Sequence, residues 1–467
     1  MTAKLSRRDF IKLAGSVLAG SALARWGQPP ASDPAPNVIL ITLDTVRAKS
    51  LGLYGAPLTT TSQLERLASH GLVFEQALAP SSWTLPTHAS IFTGRYPHQL
   101  NVGWETALDH AMPTLAEMLG NRGYATAGFV ANLAYCAYDL GLDRGFDHYE
   151  DYPVSWGQLA LSASLSRELI SSDRVRNALD FHEMPNRKNA ARITDDFLRW
   201  LGQHDPSTPY FGFLNFFDAH EPCFPPPPFD TQFGPPRPAG TDFAHIPTLI
   251  TRREKYALPA EEMEYEYHAY LGAIAYMDQQ VGRLIDELDR TGQMSNTVVF
   301  ITSDHGEQFG EHGLFDHGTS LYRPLVHVPL LILLPGKITG RVETPVTLRD
   351  FAATALDLVG QPTGQSLPGV SWRALWDENA PQATASSPVM TALANGGKAV
   401  PGWYPVATGD MFGLLDGGLY YIRKGDGDEE LYDFGNDPDE LQNLAKLPEY
   451  QAKLTHLRQQ VNMLIAS

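Results

Sequence analysis

Polar residues suited to metal binding or acid–base chemistry follow several apolar segments of the chain. Asp44 comes directly after Asn37–Leu43, and Asp304 and His305 come after Thr297–Thr302. The same arrangement recurs twice more, with Asp218 and His220 after Tyr210–Phe217 and with Asn132 after Thr126–Val130. In an open α/β sheet, ligands bind beyond the carboxyl ends of the strands. One Asp after a strand is usually a turn or cap residue, but four such endings in one chain indicate a site.

Thr84 is a candidate hydroxyl nucleophile beside this edge. Pro86 suits the first turn of a helix and Gly94 suits its end. Thr84 would then lie at a helix N-terminus, where free N–H groups and the helix dipole favour an anion or an alkoxide. Because Ser and Thr are common helix caps, Thr84 is significant only together with the polar residues at the sheet edge.

The elements that must position these residues alternate between strand and helix patterns. Five short apolar runs read as buried parallel strands, namely Asn37–Leu43, Thr126–Val130, Tyr210–Phe217, Thr297–Thr302 and Val328–Leu334. The clearest helical pattern covers Glu261–Leu288. This alternation predicts an α/β fold in which helices cover a mostly parallel central sheet.

We expect a catalytic domain over residues 37–381 and a smaller α+β subdomain over 382–467, with an antiparallel sheet and a closing helix. Two irregular stretches, 147–187 and the proline-rich 221–259, interrupt the catalytic domain. Long irregular loops are often lids or binding walls. Surface decoration without a binding role is the equal alternative for both.

The N-terminus has the composition of an export signal. Arg7 and Arg8 precede a mildly apolar run from Leu13 to Ala24 that is shorter than the roughly 20 residues needed to span a bilayer. The paired arginines resemble a twin-arginine signal, with an amphipathic helix as the alternative. We therefore predict a signal over 1–24, a linker over 25–36, export of the folded protein by the twin-arginine machinery, and a periplasmic or secreted location. No cysteine follows the predicted cleavage site, so no membrane anchor is expected after signal removal.

Overall composition fits a globular protein with an anionic surface. The 467 residues are 43% hydrophobic and 19% charged, and the formal net charge is −18 without a long basic run. This balance argues against nucleic acid or an anionic membrane as a partner. Cys136 and Cys223 allow one disulfide, but they are too few for a disulfide scaffold or a thiolate metal cluster.

Four motifs together resemble the sulfatase family within the alkaline phosphatase superfamily. They are Asn37–Tyr54, Pro86–Pro97 with Thr-Gly-Arg-Tyr-Pro, Ser303–Gly313, and Glu430–Asp433 followed by Asn436–Pro438. The resemblance extends over nearly all of the chain after the signal. It implies an alkaline-phosphatase-like sandwich, ester hydrolysis and a divalent metal ion.

The resemblance places Asp44, Asp304 and His305 at metal-ligand positions. Thr84 takes the position of the nucleophile, which is itself a metal ligand. Oxygen and imidazole ligands suit Mn²⁺, Zn²⁺, Mg²⁺ or Ca²⁺. Such an ion lowers the pKa of a coordinated hydroxyl, which would let a threonine attack near neutral pH.

Three further residues match or replace catalytic positions of the family. His220 matches a position that contacts substrate oxygens or the leaving group, and His317 lies where sulfatases commonly carry a lysine. Asn132 falls near a segment that usually supplies Lys and His. Asp218, His220 and His317 also resemble the ligand set of dinuclear relatives, so a second metal is an alternative to positively charged imidazoles that act alone.

The departures from the sulfatase pattern are equally informative. Sulfatases form formylglycine from Cys or Ser in a Cys/Ser-x-Pro-x-Arg motif, whereas this chain has Thr84 and His88 at the first and last positions. Threonine cannot become formylglycine by that route. Thr45 replaces the expected second Asp, and Asp304-His305 replaces the usual Asp-Asn or Asp-Gln pair. These changes favour phosphorus esters over sulfate esters.

The sequence therefore predicts an exported, metal-dependent hydrolase of phosphodiesters, phosphonate esters or phosphomonoesters. Its substrate would be a small-molecule, glycan-linked or lipid-linked anionic ester. The alternatives are a sulfate-ester hydrolase that works without formylglycine, and a transferase of phosphorylated headgroups, although such transferases usually carry several membrane helices. The non-enzyme alternative is a binding protein that kept the fold and lost activity. The presence of Asp44, Thr84, Asp304 and His305 together argues against it, because an inactive site has no physical need for all four.

Overall fold

The computed structural model describes residues 35–152, 175, 187–235, 260–361, 367–378, 380, 388–396 and 400–466, and for 260–262 the backbone alone. The predicted export signal 1–24 lies outside these residues. So do most of the two irregular insertions and the predicted boundary at residue 381. Residues 36–467 form one compact unit, and the finer division into domains stays a prediction.

The strands are short and almost all buried. In chain order they are β1 (Asn37–Leu43), β2 (Leu72–Phe74), β3 (Ala77–Leu78), β4 (Ala125–Val130), β5 (His148–Glu150), β6 (Tyr210–Phe216), β7 (Thr297–Thr302), β8 (Gln308–Phe309), β9 (Phe315–Asp316), β10 (His327–Val328), β11 (Leu330–Leu333), β12 (Gly340–Val342), β13 (Val346–Thr347), β14 (Val389–Leu393), β15 (Met411–Asp416), β16 (Leu419–Arg423) and β17 (Glu429–Asp433).

The α-helices alternate with the strands of the first two thirds of the chain. In chain order they are α1 (Ser62–Ala68), α2 (Thr84–Thr93), α3 (Leu115–Gly120), α4 (Ala190–Leu201), α5 (Ala260–Arg290), α6 (Arg323–Val326), α7 (Phe351–Leu358) and α8 (Gln451–Ala466). The helix predicted over Glu261–Leu288 is thus confirmed as α5, and the closing helix as α8. In the described part of the chain, no helix has both the length and the apolar character that a membrane crossing requires.

The central sheet has eight strands in the order β12-β2-β11-β7-β1-β6-β4-β5. β1 runs parallel to both of its neighbours, β6 and β7, and β4 runs parallel to β6 and β5. The expectation of a parallel strand within Val328–Leu334 is wrong, because β11 pairs with β7 in the antiparallel sense. The connection from β7 to β11 consists of loops, the β8–β9 hairpin, the short helix α6 and β10. It contains no long crossover helix, and the chain re-enters the sheet in the opposite direction.

Helices cover both faces of this sheet, which confirms the predicted α/β sandwich. Alternation along β1 sends Val38 and Leu40 into one core with α2, α3 and α7. Ile39 and Ile41 point into the opposite core with α1, α4 and α5. Because both faces are buried, the central strands are apolar at nearly every position.

The C-terminal part has its own antiparallel sheet, in the order β14-β15-β16-β17. One face of this sheet packs against α8 through Leu454, Leu457 and Val461. This confirms the small α+β subdomain with an antiparallel sheet. Cys136 and Cys223 are buried and free, so the disulfide that the sequence allowed is not formed.

Candidate active site

Adjacent strands bring the predicted polar residues to one edge of the central sheet. β7, β1, β6 and β4 are neighbours in that order, and each is followed by one of the predicted site segments. Asp44, Asp304 and His305 offer ligand atoms that all lie within 4.8 Å of one another. In the part of the chain that the structure describes, they are the only His, Cys, Asp or Glu group of this kind.

Thr84 is the first residue of α2, the helix N-terminus that the sequence predicts for it. The helix begins after Trp83, which is extended (φ −155°, ψ 163°), and ends at Gly94, which is left-handed (φ 68°). A Cβ at residue 94 would approach a backbone oxygen to 2.1 Å, so glycine is required there. Thr84 Oγ1 lies 3.2 Å from His305 Nε2. The hydroxyl therefore borders the cluster of Asp44, Asp304 and His305, which we call the acidic group.

The ring of His305 is held with one nitrogen facing the site. Its Nδ1 lies 2.9 Å from the carbonyl oxygen of Gly306, which accepts a hydrogen bond when Nδ1 is protonated. Nε2 then keeps its lone pair for a ligand. Burial, reinforced by His317, lowers the pKa of His305 to about 4. The ring is therefore neutral near pH 7, the state in which imidazole binds a metal.

Each of the two carboxylates has one oxygen that accepts hydrogen bonds and one that accepts none from a described residue. Asp44 Oδ2 accepts hydrogen bonds from the amides of Asn132 (3.0 Å) and Asn215 (3.4 Å). Asp304 Oδ1 accepts from the backbone N–H groups of His305 (2.9 Å) and Thr45 (3.3 Å). Asp44 Oδ1 and Asp304 Oδ2 are buried and accept no hydrogen bond from any described residue.

Burying two ionised carboxylates side by side destabilises the folded protein unless a cation binds between them. Burial raises the pKa of Asp44 well above its ordinary range, and the neighbouring Asp304 raises it further. Burial likewise raises the pKa of Asp304 to about 7. Two buried carboxylates lie beside a neutral imidazole, and each has an oxygen that accepts no hydrogen bond from a described residue. This set of ligands fits a divalent ion. The residues present thus agree with the metal site that the family resemblance implies.

A strained residue fixes the geometry of the loop after β1. Thr45 has φ 62°, a conformation that is unfavourable for a β-branched residue. Its N–H binds Asp304, and its carbonyl oxygen accepts a hydrogen bond from the hydroxyl of Tyr270 at 2.9 Å. The family resemblance identified Thr45 only as the replacement for a second Asp. Nothing in the sequence indicated its backbone conformation.

His88 replaces the motif arginine with a buried, uncharged ring. Its Nδ1 lies 2.9 Å from the carbonyl oxygen of Thr84, and its Nε2 lies 3.2 Å from Thr42 Oγ1. The ring packs against Phe213 at a centroid distance of 5.5 Å. Burial lowers the pKa of His88 to about 4. At this position a neutral ring stabilises the turn that carries Thr84 and supplies no positive charge.

Asn132 contacts the acidic group through Asp44. Its amide nitrogen donates to Asp44, while its oxygen accepts the backbone N–H groups of Ala134 (3.1 Å) and Tyr135 (2.9 Å). Both ends of the amide are therefore engaged. This arrangement suits Asn132 to orienting Asp44, whereas the sequence suggested a direct catalytic part.

His220 and His317 complete a row of three imidazoles with His305. Ring centroids are 4.5 Å apart for His305 and His317 and 4.8 Å apart for His317 and His220. His317 Nδ1 lies 3.0 Å from Glu307 Oε2, and His220 Nδ1 lies 2.8 Å from the carbonyl oxygen of Glu221. Burial, then the neighbouring His317, lowers the pKa of His220 well below its ordinary value. Its Nε2 is buried and makes no hydrogen bond to a described residue.

Arg187 holds the loop that carries His220, and the sequence did not single it out. Its guanidinium donates to the carbonyl oxygens of His220 at 2.7 Å and Glu221 at 2.9 Å. The same group lies over the ring of Phe217, 4.5 Å from its centroid. Residue 187 also forms an antiparallel backbone bridge with Asn132. One buried arginine therefore joins the segments after β4 and β6.

The proposed ligand set for a second metal is not assembled. Asp218 does not join His220 and His317 in any group of close ligand atoms among the described residues. Its Oδ1 accepts the N–H of Ala190 at 3.3 Å, and burial raises its pKa to about 7. The three side chains thus do not form one ligand group, and burial also disfavours the positively charged imidazole expected at His220.

Comparison with known proteins places the chain in a family. The Sulfatase family model matches residues 36–361, and the model for the C-terminal part of N-sulphoglucosamine sulphohydrolase matches residues 310–467. The chain belongs to the sulfatase family, within the alkaline phosphatase superfamily. It is accordingly a hydrolase of ester bonds.

Individual relatives include enzymes of sulfur and of phosphorus chemistry. The chain is 26% identical over 462 residues to an arylsulfatase of Clostridium perfringens, covering 91% of this chain and 93% of that protein. It matches the crystal structure of a phosphonate monoester hydrolase of Agrobacterium radiobacter with a TM-score of 0.71 and 21% identity, over 92% and 95% of the two chains. A protein solved with its substrate D-glucosamine-2-N,6-O-disulfate matches with a TM-score of 0.70 and 21% identity, over 92% and 98%. These structural matches establish the shared fold.

Proposed function

We propose that this protein is an exported, metal-dependent hydrolase of phosphodiester, phosphonate-ester or phosphomonoester bonds, with Thr84 as its nucleophile. The observation that carries the proposal is the position of the Thr84 hydroxyl. It lies at the N-terminus of α2, 3.2 Å from His305 Nε2. His305 in turn belongs to the buried group that includes Asp44 and Asp304.

Asp44, Asp304, His305 and Thr84 would hold the divalent ion, for which Mn²⁺, Zn²⁺, Mg²⁺ and Ca²⁺ are the candidates. When bound, the ion acts as a Lewis acid on phosphoryl oxygens and lowers the pKa of a hydroxyl that contacts it. Asn132 and Asn215 keep Asp44 in place through its Oδ2 atom, while its Oδ1 atom remains for the ion.

The reaction would proceed by two displacements. Thr84 Oγ1 releases its proton to solvent and forms a bond to phosphorus, and the bond from phosphorus to the alcohol oxygen breaks in line with it. The departing alcohol would take a proton from Nε2 of His220, which has to take up that proton beforehand because burial favours its neutral form. Water then cleaves the phosphothreonine and regenerates the Thr84 hydroxyl. His317 would contact oxygens of the transferring group.

Three features favour phosphorus over sulfur. Thr84 cannot be converted to formylglycine by the route that sulfatases use for Cys or Ser. The neutral His88 stands where their motif has an arginine. The buried Arg187 directs its two terminal nitrogens at backbone carbonyl oxygens. The similarity to a phosphonate monoester hydrolase supports the same choice, whereas the similarity to an arylsulfatase keeps sulfate esters as the competing candidate.

Export forms part of the proposal. The paired Arg7 and Arg8, followed by the apolar run Leu13–Ala24, support transfer of the folded protein by the twin-arginine machinery. The protein would then act in the periplasm or outside the cell. Its substrate there would be a small-molecule, glycan-linked or lipid-linked anionic ester.

A panel of para-nitrophenyl esters tests the reaction class. Turnover of a phosphate monoester, a phosphodiester, a phosphonate ester and a sulfate ester is compared with Mn²⁺ or Zn²⁺ supplied. Thr84→Ala removes the nucleophile, and Thr84→Ser is the matched control that keeps a hydroxyl. We expect phosphorus-ester turnover that is lost in Thr84→Ala and partly kept in Thr84→Ser. Dominant sulfate-ester turnover would overturn the substrate class, and full activity of Thr84→Ala would overturn the nucleophile.

A further inference from the structure

Three aromatic side chains pack together beside the proposed nucleophile. The indole rings of Trp83 and Trp104 are stacked, with centroids 4.2 Å apart and an interplanar angle of 6°. Tyr135 meets Trp83 edge to face, at 5.9 Å and 88°. We refer to Trp83, Trp104 and Tyr135 as the aromatic wall. Its members come from separate segments, so the fold assembles it.

The aromatic wall is tied on two sides to residues of the site. Trp83 directly precedes Thr84, and both are buried. The N–H of Tyr135 donates to the Asn132 side-chain oxygen at 2.9 Å, and Asn132 itself binds Asp44. The aromatic wall therefore borders Thr84 along the chain and is joined to Asn132 through the backbone of Tyr135.

The loop that carries His317 lies against the same aromatic wall. Gly318 follows His317 and donates its N–H to the carbonyl oxygen of Ser82 at 2.8 Å. A Cβ at residue 318 would lie 3.0 Å from the Trp104 indole and 3.3 Å from Trp83 Cβ. Gly318 also has φ 67°, so glycine is favoured here on both grounds. Three segments that bear site residues thus converge on the two stacked indoles.

Burial separates the structural member of the aromatic wall from the other two. Trp83 is only 3% exposed and belongs to the main hydrophobic core. Trp104 and Tyr135 are half-buried and pack on the outside of that core. Core packing accounts for Trp83, whereas Trp104 and Tyr135 keep part of their surface exposed.

In-line chemistry determines which part of a substrate would meet these rings. The leaving group departs on the side opposite to the attacking Thr84 Oγ1. Groups that flank the nucleophile therefore face the substituents that stay on phosphorus. A phosphodiester or a phosphonate ester carries an organic group there, whereas a phosphate or sulfate monoester carries oxygen atoms alone.

We propose that the aromatic wall binds the non-leaving organic substituent of the substrate and favours a flat, apolar ring at that position. This inference rests on the proposed function and specifies the substrate class within it: diesters and phosphonate esters with a ring-bearing non-leaving group. Aromatic faces stack with such rings in offset or edge-to-face arrangements. A phosphomonoester offers this surface nothing to bind.

The test compares two substrates with the same leaving group, para-nitrophenyl phenylphosphonate and para-nitrophenyl methylphosphonate. The readout is the ratio of their kcat/KM values in the parent protein, in Trp104→Ala and in Trp104→Phe. The two substrates differ in intrinsic chemical reactivity by a factor that is the same for every variant. A change in the ratio from one variant to another therefore reports on binding of the phenyl or methyl group. Trp200→Ala is the matched control, since Trp200 is a half-buried tryptophan that packs against Tyr210 at the start of β6, the opposite edge of the sheet.

We expect the phenyl-to-methyl ratio to fall by about tenfold in Trp104→Ala, in line with the loss of one aromatic contact. Trp104→Phe should recover most of it, and Trp200→Ala should keep the parent ratio. An unchanged ratio in Trp104→Ala would overturn the inference while leaving the reaction class intact. Absence of phosphorus-ester turnover in the parent protein would overturn both.

A binding measurement on the parent protein gives a second test that does not depend on the folding of a variant. Phenylphosphonate and methylphosphonate are compared as competitive inhibitors of the turnover of a common ester. We expect phenylphosphonate to bind about tenfold more tightly. Equal inhibition constants would overturn the inference.

Discussion

Removing the guanidinium of Arg187 should impair catalysis through His220. Arg187 donates to the carbonyl oxygens of His220 and Glu221, and the Glu221 oxygen also lies 2.8 Å from His220 Nδ1. The arginine thus holds both the backbone of the loop and the acceptor that orients the imidazole. Arg187→Met keeps a long side chain and removes every donor, while Arg187→Lys keeps the charge and is the matched control.

The size of the effect follows from these contacts. Hydrogen bonds that involve a charged group contribute about 1.5–3 kcal/mol each. Loss of the two short ones should lower the free energy of unfolding by about 3–6 kcal/mol in Arg187→Met. General acid catalysis contributes typically about 10²–10⁴-fold, so a displaced His220 should slow an alkyl-ester substrate by about 100-fold. A nitrophenolate needs little protonation to leave, and its rate should fall by less than about tenfold.

The assay measures kcat and KM for a methyl and a para-nitrophenyl leaving group on the same phosphonate. The measurement is repeated with His220→Ala alone and with the double variant. If Arg187 acts through His220, its replacement costs little once the imidazole is gone, so the two substitutions are non-additive. Circular dichroism and thermal melting show that each variant is folded at the assay temperature.

Two results would refute this reasoning. Equal losses for the two leaving groups would mean that Arg187 supports the fold without positioning a proton donor. Additive losses in the double variant would mean that Arg187 and His220 act independently. Partial recovery in Arg187→Lys is expected, since one ammonium group can reach one of the carbonyl oxygens but not both.

Three further predictions concern the metal site, the pH dependence of stability and export. Mn²⁺ or Zn²⁺ at about 100 times its dissociation constant should raise the free energy of unfolding by about 2.7 kcal/mol; chelation should reverse this, and Asp44→Ala should abolish it in thermal melts. Burial raises the pKa of Asp278 to about 7, so the folded state holds a proton that the unfolded state releases above its ordinary value of 3.8. The contribution of Asp278 to stability is therefore full below pH 3.8 and is lost as pH rises towards 7, by at most about 4 kcal/mol. The free energy of unfolding, measured by chemical denaturation at a series of pH values, should therefore fall less steeply with pH in Asp278→Asn than in the parent protein. The same dependence on pH in both proteins would contradict the assignment. Replacing Arg7 and Arg8 with lysine should retain the protein in the cytoplasm in cell fractionation, and normal export of that variant would rule out the twin-arginine route.

The central strands and the acidic group were predictable because they depend on local patterns. β1 and β7 are continuous apolar runs, as strands buried on both faces must be, and Asp44 and Asp304 follow them at the carboxyl edge. The start of α2 at Thr84 was likewise indicated by Pro86 and Gly94. For these features the sequence carries the information within a few residues.

The remaining features depend on contacts between distant segments. An apolar run such as β11 has the same composition in either direction, so its antiparallel pairing could not be read from its residues. Arg187 bonds to backbone carbonyl groups about thirty residues further along the chain, and a carbonyl group has no sequence signature. Trp104 stacks on Trp83 only because the fold brings their segments together.

The most direct test of the central claim is the stereochemical course at phosphorus. A P-chiral phosphorothioate diester is hydrolysed in heavy-oxygen water, and the configuration of the product is determined. Two in-line displacements through Thr84 predict net retention, because each displacement inverts the phosphorus centre. Net inversion would show that water attacks the substrate directly, and it would contradict the assignment of Thr84 as the nucleophile.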